Sequence, residues 1–209
     1  MTPKTLIKLA SLFALFNPAA SLTASVNLKP DVTISSNTSI NGVIHLEQNS
    51  SSDNLTLIVA ISGLEPNTEH GWHIHELPVT NNNCTSTGGH YNPMNTTHGG
   101  PTSNVRHIGD FGNFQTNELG IAVFNYTDRL ATLYGNFSAI GRSISIHSMR
   151  DDLGLGVNAA SLVNGNSGPR ILCGDIVAQK DSISGSGGLH SIGNQIVAFF
   201  GFLIVSLML

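Results

Sequence analysis

The chain has 209 residues, of which 11% are charged and 6% aromatic, and its formal net charge at pH 7 is −4. That length holds one ordinary domain plus processing segments, and 9 Lys/Arg against 13 Asp/Glu give no basic surface for nucleic acid. A total of 22 glycines among many Ser, Thr and Asn favours short strands joined by turns over helices.

The chain opens with Lys4 and Lys8 before an apolar stretch, Leu9–Phe16, and small residues follow around Ala19–Ala24. This order reads as a secretory signal, assigned to residues 1–24. No polar face repeats there, which argues against an amphipathic first helix. Val43-Ile44-His45-Leu46-Glu47 and Leu55–Ile61 read as strands separated by a polar turn, Gln48–Asn54. His45 is read as an ordinary strand residue.

Next comes Gly71-Trp72-His73-Ile74-His75-Glu76. Residues two apart on a strand share a face, so His73 and His75 point one way and Ile74 the other. Trp72 reads as core packing, Glu76 as structural and His70 as a turn residue. From Leu77 to about Asp110 no regular pattern is visible, and connections of that length are usually functional. This one carries His90, His98, His107 and Asp110. Three nitrogens and one oxygen, with no position left open, describe a structural zinc. Gly99-Gly100-Pro101 and Gly109 let the loop turn tightly around an ion.

Ile121–Asn125 and Ser143-Ile144-Ser145-Ile146-His147 are further strands. Alternation in the second puts His147 opposite its two isoleucines, so His73, His75 and His147 can form one side of a copper site. A second long connection runs from Asp151 to Cys173.

These pieces resemble the copper/zinc superoxide dismutase family. The likeness rests on GWHIHE, Cys84-Thr85-Ser86, GGHYNPMNTTHGGP, RHIGDFGN, Gly141-Arg142 before His147, Asp151-Asp152-Leu153-Gly154, Asn166-Ser167-Gly168-Pro169-Arg170 and Leu172-Cys173-Gly174. It covers residues 25–180, taken as the domain, and is specific because every piece occurs in one order. It implies an all-β Greek-key barrel or sandwich, immunoglobulin-like, with two long loops. The implied copper ligands are His73, His75, His90 and His147, and the implied zinc ligands are His90, His98, His107 and Asp110. His90 would bridge the two ions. Asp151 matches the carboxylate that links a copper histidine, His73, to a zinc histidine, His98. Arg170 matches the arginine that lines the copper entrance and holds the anionic substrate. The implied reaction is dismutation of superoxide to dioxygen and hydrogen peroxide, by a copper redox cycle beside a structural zinc. A copper- or zinc-binding module without efficient turnover is the alternative, disfavoured because a buffer needs neither a bridging histidine nor Arg170. Family members are often dimers, so a second copy is a candidate partner, though no contact patch is readable.

An exported chain lives in an oxidising compartment, where Cys84 and Cys173 read as a disulfide. Closing a loop of roughly ninety residues would stabilise by about 4–5 kcal/mol on the chain-entropy model. Asn-x-Ser/Thr sequons at Asn37, Asn49, Asn54, Asn83, Asn95, Asn125 and Asn136 agree with export as a glycoprotein. At the far end, small residues Ser182–Gly188, a polar spacer with His190, Asn194 and Gln195, and apolar Ile196–Leu209 follow in order. The apolar run is short of the roughly 20 residues a span needs. Residues 181–209 therefore read as a glycosylphosphatidylinositol (GPI) attachment signal, with a short tail anchor or free secretion as alternatives. Membrane contact would come through that lipid alone, outside the cell.

In the second long loop the chain departs from the family. Many relatives carry acidic residues and a lysine there, whereas Leu155–Gly165 here carries no charge.

Overall fold

In the computed structural model, residues 21–34 and 39–179 are described, and all belong to one compact unit, Met1–Gln179. Most of the signal segment, Asn37 and the C-terminal attachment signal lie outside the described residues. Among the described residues nine strands form: β1 (Leu22–Pro30), β2 (Asn41–Gln48), β3 (Leu55–Ser62), β4 (Glu69–His75), β5 (Asp110–Gln115), β6 (Ala122–Asp128), β7 (Ser143–His147), β8 (Arg170–Asp175) and β9 (Val177–Ala178). One short helix, α1 (Ser161–Asn164), lies in the second long loop. Among the described residues no helix is long and apolar enough to cross a membrane.

The hydrogen-bonded order is β5-β4-β7-β8-β1-β2-β3-β6, and β9 adds to β1. Every pairing is antiparallel. The neighbours β1–β8, β4–β7 and β3–β6 are remote in sequence, as in a Greek key. β2 and β3 bury alternate residues, so Ile44, Leu46, Leu57 and Val59 face inward. They meet Trp72, Ile74, Ile144, Ile146 and Leu172 from the opposite wall. Trp72 is wholly buried, and its ring lies 4.7 Å from Phe111, 5.6 Å from Phe124 and 5.1 Å from Tyr126. The indole thus fills the seam where β5 and β6 approach without pairing.

β4 and β7 are buried on both faces. One face is core and the other is roofed by the two long loops, which explains why two histidines can sit fully buried on β4. Register sets Trp72 opposite Ile146, His73 opposite Ser145 and His75 opposite Ser143. Irregularities at Gly71/His73 and at Ile146/His147 break the ladders beside the histidines. Bulges of this kind re-aim side chains.

The sequence reading missed β1, β5 and β9, and it ran the second long connection on to Cys173, which lies inside β8. β1 begins at Leu22, inside the segment assigned to the signal, and pairs Leu22, Thr23 and Ala24 with Gln48, Glu47 and Leu46. His70 is not in a turn. It lies on β4, is 2% exposed, and its Nδ1 is 2.8 Å from the His147 carbonyl. It therefore ties β4 to the end of β7.

The first long loop is fastened by a buried ion pair. The Arg106 Nη2 lies 2.6 Å from Asp128 Oδ2, and its Nη1 donates to the Asp110 carbonyl at 2.8 Å. Asp128 Oδ1 accepts from the amides of Leu130 and Ala131. Removing one partner of such a pair strands a charge in the interior. Asp128→Ala should lower unfolding stability by about 3–5 kcal/mol, read from denaturant curves. A loss under about 1 kcal/mol would mean that Arg106 finds water instead.

Candidate metal centre

Two groups of buried ligand atoms converge: His73, His75, His90 and His147, and His73, His90, His98 and Asp110, each with its atoms within 4.8 Å of one another. They share His73 and His90, whose rings stack at 3.8 Å. β4 supplies His73 and His75, β7 supplies His147, and the first loop supplies the rest up to Asp110, which opens β5. Register places Asp110 beside His73.

In the second group one oxygen gathers three imidazoles. Asp110 Oδ1 lies 2.9, 3.0 and 3.1 Å from Nδ1 of His90, His98 and His107. His107, expected from the sequence as a ligand, thus joins through Asp110. Three contacts of about 3 Å to one carboxylate oxygen suit donors that would share an ion with bonds of about 2.0–2.1 Å. Asp110 Oδ2 is fixed by the amides of Gly99 and His107 at 3.1 and 2.8 Å, so the carboxylate cannot swing away.

In the first group each ring is held by its far nitrogen. His73 Nε2 donates to Asp151 Oδ2 at 2.9 Å, His75 Nδ1 to the Gly88 carbonyl at 3.1 Å, and His147 Nδ1 to the Gly168 carbonyl at 2.9 Å. Such bonds fix the tautomer and leave the other nitrogen with its lone pair. The freed atoms converge, with Nε2 of His75 and His147 3.4 Å apart. His73 Nδ1 and His90 Nε2 are buried without a hydrogen-bond partner. Orphaned buried nitrogens are rare in folded proteins, and a metal ion in the first group would satisfy both.

Electrostatics separate the two groups. Burial holds the His73 and His75 imidazoles well below their usual range, with the neighbouring His90 adding to it. Burial pushes His147 down to about 3. These rings stay neutral and ready to ligate at pH 7. His98 goes the other way, to about 9, because Asp110 and Asp151 outweigh its burial. Burial would raise Asp110, but the His107, His90 and His98 contacts hold it well below the carboxylate range. A cation held by the second group would have to displace the proton of His98 at neutral pH.

Asp151 joins the groups. It is fully buried, and its second oxygen reaches His98 Nε2 at 2.8 Å. Asn113 brackets it, accepting from the Asp151 amide and donating to its carbonyl. Gly165 covers it with φ +64°, and a Cβ there would lie 1.9 Å from Asp151 Oδ1 and 2.6 Å from His98 Nε2. Only glycine fits that backbone.

Arg170 stands at the rim, half-buried. Its Nη1 donates to the Cys84 carbonyl at 2.9 Å and to Thr87 Oγ1 at 3.1 Å, and its Nη2 donates to the Gly88 carbonyl at 2.5 Å. Among the described residues no carboxylate pairs with it, and its charge is a secondary cause, after burial, of the lowered His75 and His147. Cys84 and Cys173 are disulfide-bonded, which fastens this segment to β8.

Residues 40–176 match the family model for copper/zinc superoxide dismutase. The chain is 47% identical to a Cu-Zn superoxide dismutase of Saccharomyces cerevisiae over 137 residues, 66% of this chain and 89% of that one. It is 44% identical to one from Neurospora crassa over 149 residues, 71% and 97% of the two chains. An extracellular Cu-Zn superoxide dismutase of Drosophila melanogaster is 44% identical over 142 residues, 68% and 78% of the two. With the family's strands, both metal groups and the disulfide in one fold, the chain belongs to the copper/zinc superoxide dismutase family.

Proposed function

We propose that this protein dismutates superoxide to dioxygen and hydrogen peroxide with one copper and one zinc, and that it works outside the cell. The observation that carries the reaction is the pair of ligand groups joined through His90 and Asp151, with an unneutralised guanidinium at the rim. Copper, which cycles between two oxidation states when bound, would be held by His73, His75, His90 and His147. Imidazole suits it, and strand-borne ligands keep their places through the cycle. Zinc would be held by His90, His98, His107 and Asp110, a closed set of the structural kind. His90 has one nitrogen toward each group, so it is the residue placed to hold and release a proton between them. Arg170 stays charged and offers N–H donors to an entering anion.

Asp151 holds one histidine on a strand and one on a loop. Asp151→Asn should therefore weaken zinc binding before copper, because His98 depends on it for position whereas His73 is also fixed by β4. Metal analysis after mild chelation should find zinc depleted first, and equal loss of both would contradict this.

Electrostatic attraction of the substrate is weak here. Leu155, Val157, Leu162 and Val163 are exposed on the loop around α1, and residues 155–165 carry no charge. Residues 25–180 hold seven Lys/Arg against twelve Asp/Glu, a net repulsion for an anion. Steering changes on-rates by roughly 10–10³-fold and is screened by salt. The copper- and zinc-loaded protein should consume superoxide with a rate that is flat or rises with added salt, and Val163→Lys should raise the low-salt rate. No turnover despite bound copper and zinc would make the chain a metal-binding module instead. A wild-type rate falling steeply with salt would place the steering charge elsewhere.

The extracellular reading rests on the sequence of both ends and on the sequons. Asn49, Asn54, Asn83, Asn95, Asn125 and Asn136 are all exposed. Signal cleavage belongs before Leu22, near Ala20 and Ser21, because cutting after Ala24 would remove three paired residues of β1, among them the buried Ala24. Full-length protein made in a eukaryotic cell should reside on the outer surface and be released by phosphatidylinositol-specific phospholipase. Intact Ile196–Leu209 in the mature chain, seen by mass spectrometry, would contradict the lipid anchor.

A further inference from the structure

We infer that Asp31, which lies outside both metal groups, is a positioning residue for Arg170 and thereby sets how well the site captures its anion. The inference rests on the reading of Arg170 as the anion-holding group.

Asp31 follows β1 directly and is only 5% exposed. Its amide donates to the Ile171 carbonyl at 3.0 Å, which seats it beside the start of β8. Its carboxylate then spends both oxygens on backbone control. Oδ2 accepts from the Cys84 amide at 2.6 Å, while Oδ1 accepts from the Thr33 amide at 2.9 Å and the Thr33 hydroxyl at 2.6 Å. The adjacent Val32 amide donates to the Asn82 carbonyl at 3.0 Å. Residues 82–84 are thus gripped from the β1 side at two points.

The other face of the same peptide run holds the guanidinium. Cys84 receives Asp31 at its amide and offers its carbonyl to Arg170 Nη1 at 2.9 Å. The 3-10 turn Cys84–Thr87 carries the remaining Arg170 acceptors on this segment, Thr85 O and Thr87 Oγ1, and Gly88 O follows it. Asp31 and Arg170 therefore act on opposite ends of one residue, and that residue is the disulfide cysteine. The disulfide fixes the Cys84 side chain, the Thr87 hydroxyl donates to the Cys84 carbonyl at 2.8 Å, and the Asp31 bond orients the peptide on the amide side. Burial raises the Asp31 carboxyl, but the Thr33 and Cys84 donors outweigh it and hold it below the usual range, so the anion is the form that grips.

Azide, a small anion that ligates copper(II), serves as the probe, titrated optically into the copper- and zinc-loaded protein. Asp31→Ala should weaken azide binding and kcat/KM by about three- to tenfold, the net worth of one ordinary hydrogen bond, because Arg170 keeps its other acceptors. Metal content and the copper(II) EPR spectrum should stay unchanged, because no ligand is touched. Thr33→Val, a milder change, should move azide affinity in the same direction by less. In an Arg170→Ala background, Asp31→Ala should cause no further loss. Additive losses, an altered EPR spectrum, or native azide affinity in both Asp31→Ala and Thr33→Val would overturn the inference. Native azide affinity in Arg170→Ala itself would instead overturn the reading of Arg170.

Discussion

The site depends on the two-sided grip of Asp151. A buried carboxylate must be fully hydrogen-bonded to be tolerated, and this one binds His73 on a strand with one oxygen and His98 on a loop with the other. That single side chain sets the distance between two halves of the centre that arise from different parts of the chain. Much else is arranged to leave it room or hold it still: Asn113 brackets its backbone, and Gly165 passes over it where no side chain could fit. The loop 151–169 is thus a structural member of the metal centre as well as its rim.

The same logic of one rigid partner and one mobile one recurs at the rim. The barrel supplies β4, β7 and β8, and the first loop is fastened to β6 by the Arg106–Asp128 pair, to β8 by the disulfide and to the end of β1 by the Asp31 bond. Carbonyls of that loop then hold Arg170 and orient His75. Removing a fastening changes the aim of donors without changing which donors are present. The uncharged, apolar surface around α1 sits on the outside of this frame.

Much of the centre was legible in the sequence because its candidate ligands either alternate along a strand or cluster within one loop. Alternation on β4 and β7 sufficed to aim His73, His75 and His147, and the cluster from His90 to Asp110 could be read as a donor set. What could not be read came from long-range register. β1, with Thr23, Ser25 and Asn27 between its buried residues, looks like the small-residue end of a signal, and only pairing with β2, β8 and β9 makes it a strand. β5 begins at a ligand and contains two aromatics and a glycine, a pattern that reads equally as loop. His70 lacked any partner visible in sequence, since the His147 carbonyl is 77 residues away. Arg106 and Asp31 are single charged residues whose worth lies wholly in what the fold brings to them.

The central claim is that two different ions share His90, with Asp151 outside both coordination shells. Crystals of the copper- and zinc-loaded protein, measured with anomalous scattering at each metal's edge, test it directly. The account predicts a copper peak among His73 Nδ1, His75 Nε2, His90 Nε2 and His147 Nε2. A separate zinc peak should lie among the Nδ1 atoms of His90, His98 and His107 and Asp110 Oδ1. One mixed peak, or an ion bound directly by Asp151, would contradict it.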